Sequence, residues 1–131
     1  MSFHTAYFNT RFCLEQPEAA LPALFVIVTA YATTGERWTQ AENARADGAL
    51  GQHLGALGVW HCRITGYDPA TGHKEPGWAV EVTREAGLEL GRAFRQDAIY
   101  WVGGETLWVV SCHGGDGAPV GVFADRLDQP S

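Results

Sequence analysis

The sequence predicts an α+β fold: a single-domain, two-layer sandwich of a mostly antiparallel sheet with two helices on one face. Three observations carry this. Short apolar runs, alternating or continuous, recur at residues 5–14, 24–31, 59–67, 77–82, 97–102 and 105–112, which is strand chemistry. Stretches 39–58 and 83–94 instead repeat apolar residues at helical spacing. From residue 24 the order is βαββαβ, a ferredoxin-like core in which right-handed crossovers place both helices on one side. An N-terminal strand and a C-terminal hairpin strand extend it.

Each element has a local reason. In 5–14, Ala6, Phe8, Phe12 and Leu14 alternate as on a half-buried strand, and Pro17 and Pro22 then interrupt the chain. The run 24–31, LFVIVTAY, is apolar enough for a central strand covered on both faces. Thr39 and Glu42 form a capping-box signature ahead of Ala46, Leu50, Leu54 and Leu57, and Gly58 suits the C-terminal cap. Gly48, Gly51 and Gly55 within that helix predict close approach along its glycine side. Thr83 caps the second helix, whose buried face reads as Ala86, Leu90, Ala93 and Phe94, with Gly87 and Gly91 close to the sheet. Gly103-Gly104 marks a hairpin turn into 105–112, read as an edge strand. The chain thus divides into an N-terminal strand and turn (1–23), a core (24–112) and an irregular tail (113–131) with a short ordered piece at 119–123.

At 131 residues and 46% hydrophobic, the chain is long enough to bury a core without staples. Nine basic residues against fifteen acidic ones give a net charge of −6, the wrong sign for general binding to nucleic acid or to a membrane surface. No basic n-region precedes an apolar run at the start, and no run is long enough for a membrane helix. Three cysteines, an odd number, read as free thiols of a cytoplasmic protein.

Threading the predicted elements gathers three distant segments at one end of the sheet: 31–43, 66–76 and 94–97. They hold Tyr31, Thr33, Thr34, Arg37, Glu42, Asn43, Tyr67, Asp68, His73, Lys74, Glu75, Arg95, Gln96 and Asp97. Polar loops at one end of a rigid scaffold are a common place for a site. His73 and Glu75 lie two apart and so face the same side of an extended segment, where they can act as an acid/base pair or a substrate clamp. Polar residues also belong in loops for solvation alone, and Glu42 has a capping job.

The sharp catalytic motifs are absent, and no cofactor is implied. His61-Cys62 and Cys112-His113 look like a mirrored zinc pair, but their predicted positions at opposite strand ends separate them by far more than a metal-ligand distance. No metal is therefore expected, and Cys13, Cys62 and Cys112 read as small core residues. Five tryptophans, four of them in strands, read as sheet packing, with an exposed aromatic binding face as the alternative.

Thr29-Ala30-Tyr31, Glu42-Asn43, the segment from His73 through Glu75-Pro76 to Trp78-Ala79-Val80, and Phe94 through Gln96-Asp97-Ala98-Ile99 to Trp101 resemble the bacterial family known as domain of unknown function 3293. The likeness spans about residues 5 to 112. It implies a stand-alone bacterial cytoplasmic protein and carries no activity, cofactor or mechanism.

Three functions follow from the residues. The first is a small-molecule or peptide-binding domain lined by Tyr31, Glu42, Asn43, His73, Glu75, Arg95 and Gln96. The second is an acid/base hydrolase or transferase using Glu75 and His73. The third is an interaction module that pairs with another protein or a second copy, as a homodimer, through strand 105–112 and its tryptophans. The first two require His73, Glu75, Glu42 and Gln96 to share one cleft.

Overall fold

The strongest apolar runs of the chain become the middle of one sheet. The computed structural model describes residues 5–16, 20–31, 38–114 and 116–128. Its strands are β1 (Arg11–Leu14), β2 (Leu24–Thr29), β3 (His61–Tyr67), β4 (Lys74–Val80), β5 (Ala98–Gly103), β6 (Thr106–Ser111) and β7 (Gly117–Val122). They form one sheet in the order β1-β3-β4-β2-β5-β6-β7, antiparallel at every pairing. Helices α1 (Gln40–Leu57), α2 (Arg84–Ala93) and α3 (Phe123–Arg126) complete a mixed α/β domain.

The pleat sorts side chains onto two faces, and both are covered. On one, Val26, Val28, Val80, Ile99 and Val110 pack with Leu50 and Leu54 of α1 and Leu88 and Leu90 of α2. On the other, Phe25, Ile27, Ile64, Ala79, Val102 and Leu107 meet Phe12 and Phe123 in a second core. Among the described residues no long helix covers that second face. Instead the sheet curls over it until its edge regions meet: Phe12 of β1 bridges in parallel to Leu127, just past α3.

The closure is polar as well as apolar. Asp128 N–H donates to Phe12 O at 2.8 Å, and the Asp128 carboxylate accepts from Arg11 Nε (2.9 Å), Cys13 Sγ (3.3 Å) and Tyr67 OH (2.6 Å). The Arg126 guanidinium donates to Phe8 O at 2.5 Å and to Thr10 O at 3.4 Å, tying the N-terminal segment to the end of the chain.

Several expectations hold. Both halves of the Thr39–Glu42 capping box form, Gly58 caps α1 with φ 70°, and Thr83 caps α2. Gly104 turns the β5–β6 hairpin with φ 63°. Cβ atoms at Gly87 and Gly91 would fall 2.6 Å from Val26 and 2.5 Å from Cys112, so α2 does press its glycines onto the sheet.

Other expectations are corrected. The ferredoxin-like sandwich does not describe this sheet, whose seven-strand order differs and whose curl hides a second core. The predicted strand 5–14 is a 3-10 turn at Thr5–Phe8 followed by the short β1, because the curl needs the chain to cross the open end before it pairs. Strand 105–112 is no edge, since β7 covers it in what was read as an irregular tail. The buried face of α2 is Gly87, Leu88, Leu90 and Gly91, leaving Ala93 exposed. In α1, Leu57 is exposed, and of its three glycines Gly51 alone meets a neighbour, the Trp78 ring. The loop 32–37, with Thr33, Thr34 and Arg37, lies outside the described residues.

Candidate functional site

The second core does not fill the whole curl. Its large residues occupy the middle and lower end, while the upper end of the same face carries Gly66, Thr29 and Ala98. These are small residues on β3, β2 and β5, and they leave a cavity of about 270 Å³ at the open end of the sheet. Gly66 is needed there: a Cβ on it would stand 3.2 Å from Thr10 and 3.4 Å from the Phe12 ring.

Three walls surround the cavity. The first is the β3–β4 hairpin, which contributes Tyr67, Asp68, His73 and Glu75. Asp68 N–H donates to His73 O at 2.9 Å, closing the hairpin, and the Asp68 carboxylate accepts from Ala70 N–H. The pleat of β4 aims Glu75 into the cavity with Gly77 and Ala79, and sends Lys74, Pro76 and Trp78 to the other side. Glu75 sits opposite Gly66 on β3, so its β3 partner has no side chain to cover it. His73 Nε2 lies 3.5 Å from Glu75 Oε1, with the histidine side chain 70% and the glutamate 38% exposed.

The second wall is the exit of α2. Gln96 is buried, accepts from Thr29 Oγ1 at 3.1 Å, and donates to Tyr31 O at 2.8 Å and Phe94 O at 3.1 Å. A Schellman-type cap brings it there: Gln96 N–H bonds Gly91 O and Arg95 N–H bonds Arg92 O. Arg95 takes the left-handed position of this cap, at φ 60°.

The third wall is aromatic and comes from the N-terminal segment and β5. The Tyr7 and Tyr100 rings meet edge to face at 6.0 Å, Phe12 meets Tyr100 at 5.2 Å, and Tyr100 OH donates to Tyr7 O. Burial pushes the Tyr7 phenol up to about 12, helped by the Asp97 and Glu75 carboxylates. Burial likewise raises Tyr100, so both phenols stay neutral.

The predicted site residues therefore divide. His73, Glu75 and Gln96 share the cavity; Tyr31 does not line it, though its carbonyl accepts from Gln96. Glu42 and Arg95 do not join them; they lie with Trp38, Arg45 and Ala46 in a shallow depression of about 370 Å³ elsewhere on the surface. Asn43 lines neither hollow. The common cleft of four that both site readings required does not form: Glu42 on α1 lies away from the cavity, across the sheet, so those readings fail as first framed and a site here rests on His73, Glu75 and Gln96 without it. The wall missed by sequence reasoning is Tyr7, Thr10 and Phe12. One available signal pointed away from 31–43: on β4 the bulkier Trp78 and Val80 claim the helix-covered face, which leaves Glu75 on the other.

The mirrored His-Cys pairs find separate partners. His61 Nδ1 contacts Val59 O at 2.8 Å, and His113 Nε2 meets Asp97 Oδ1 at 3.1 Å. Among the described residues no three His, Cys, Asp or Glu side chains gather as a metal site, and no described helix is long and apolar enough to cross a membrane. Trp78, Trp101 and Trp108 pack half-buried against the helix-side core and Trp60 against the other.

Fold and cavity together define a curled antiparallel sheet that holds an aromatic and acidic hollow at its open end. The chain belongs to the family described as protein of unknown function (DUF3293), whose pattern matches residues 28–99. That span includes Thr29, His73, Glu75 and Gln96 but ends before Tyr100 and excludes the N-terminal wall. No curated protein and no solved structure matches the chain.

Proposed function

We propose that the cavity at the open end of the sheet binds a small molecule. The observation that carries this is convergence: segments near residues 7–12, 67–75 and 96–100 meet around one hollow lined by aromatic rings and a few polar groups. Its volume of about 270 Å³ sits at the small end of ligand sites and suits a metabolite better than a peptide.

A metabolite-library thermal-shift screen tests the reading, because a ligand that binds the folded state alone raises its melting temperature. Hits are expected on the wild type and are expected to vanish in Ala98→Phe, which fills the hollow, and to weaken in Glu75→Ala. A library whose hits are indifferent to Ala98→Phe, or that yields none, defeats the proposal.

The second reading, an acid/base hydrolase or transferase, is favoured by the 3.5 Å approach of His73 to Glu75 inside the same hollow. It requires that a bound hit be turned over, and that Glu75→Gln abolish turnover while leaving binding within a few-fold. Pairing with another protein or a second copy falls to β7, now that β6 is an inner strand and β1 is engaged by Leu127 and Asp128. Pro119 and a bulge on β7 oppose extension at that edge.

A further inference from the structure

The charge on the cavity wall has one sign. Asp68 and Glu75 are its acidic residues, and among the described residues neither Lys nor Arg lines it. Lys74 projects to the opposite side of the strand from Glu75. Arg126 lies behind the wall with its guanidinium turned onto the carbonyls of Phe8, Thr10 and Val120. Among the described residues an anionic ligand would therefore meet two carboxylates and no Lys or Arg, whereas a cationic one would find partners.

Much of the remaining lining is aromatic or aliphatic, beside Thr10, Thr29, His73 and Gln96. Tyr7, Phe12 and Tyr100 form a continuous edge-to-face cluster beside Ile27. Ring faces attract both aromatic bodies and ammonium groups. The Glu75 and Asp97 carboxylates help raise the Tyr7 phenol, while at Tyr100 the Glu75 charge is opposed by that of Arg126. The glutamate stands free above Gly66, with His73 as its loose neighbour, and is the group best placed to accept from an incoming ammonium.

We infer that the ligand is a small organic amine with a flat apolar body, its ammonium held by Glu75 and Asp68 and its body against Tyr7, Phe12 and Tyr100. This rests on the small-molecule reading above and adds the chemical class. Size agrees: about 270 Å³ holds one ring with a short amine arm and little more.

The test titrates the full chain with two probes of matched shape, 2-phenylethylamine and 3-phenylpropionate, followed by protein NMR. The amine is expected to shift signals of the cavity wall, and the carboxylate to bind at least tenfold more weakly. Glu75→Gln should weaken the amine at least tenfold, and Ala98→Phe should abolish it. If Glu75→Gln loses its fold, Asp68→Asn, which keeps the turn acceptor to Ala70, replaces it. Equal binding of both probes, no response to either variant, or no binding of the amine overturns the amine assignment. The small-molecule reading survives any of these if the library screen still gives hits that Ala98→Phe removes.

Discussion

Gln96 and Glu75 line one cavity, yet their surroundings assign them different work. The Gln96 amide donates twice and accepts once, joining the end of β2 to the exit of α2. Removing it strands the half-buried Thr29 hydroxyl and Tyr31 carbonyl, and unsatisfied buried groups cost about 1–3 kcal/mol each. Gln96→Ala is therefore expected to lower stability by about 2 kcal/mol or more in denaturant melts. Glu75 makes no such bridge, and its loose contact with His73 is partly solvated. Glu75→Gln should leave the denaturation midpoint within about 0.5 kcal/mol of wild type, the range of ordinary surface changes. A large loss at Glu75, or none at Gln96, would reverse the two roles.

At the scale of elements, the two helices use glycine differently. Helix α2 is close to the sheet because Gly87 and Gly91 have no side chains, and a Cβ at Gly91 would stand 2.5 Å from Cys112 Sγ and 2.8 Å from Ile99 Cγ2. Overpacking of this kind costs typically about 1–3 kcal/mol, so Gly91→Ala should destabilise in that range. It should also disturb the site, because the Gly91 carbonyl anchors Gln96 N–H. In α1, a Cβ at Gly55 would meet nothing within 4 Å. Gly55→Ala should stabilise by up to about 1 kcal/mol through helix propensity alone. Paired melts of the two variants, one down and one up, check both statements.

At the scale of the whole molecule, the curl is held where the ends of the chain meet. The Asp128 carboxylate takes bonds from Tyr67, Arg11 and Cys13, and the Tyr67 bond first among these holds its pKa below the ordinary carboxylate value of 3.8. A carboxyl depressed in the folded state adds stability above its unfolded value and loses it as pH falls through the folded one. Asp128→Asn should therefore melt below wild type at pH 7, and the gap should shrink from about pH 4 downward. A gap that stays constant with pH would mean the carboxylate charge plays no part in closure. Tyr67 also lines the cavity, so Asp128→Asn provides a way to ask whether closure and ligand affinity are linked.

What the sequence determined by itself was local. Thr39 with Glu42, Gly58 and Thr83 placed the helix ends, because a cap needs only residues three or four apart. Hydrophobic period located most of the strands, and antiparallel threading brought His73, Glu75 and Gln96 to one end. Tertiary structure decided which face of that end forms the hollow. Loops 31–43 and 66–76 leave the same end of the sheet, and nothing local says that α1 carries Glu42 to the far side. It also decided the curl, which depends on Phe12 meeting Leu127 and Arg11 meeting Asp128 across nearly the whole chain. Contacts of that sequence separation leave no periodic trace, so the aromatic wall of Tyr7 and Phe12 read as part of a plain N-terminal strand. The acidic wall was legible because a strand's alternation is a property of neighbours; the aromatic wall was not, because it exists only once the two ends of the chain have met.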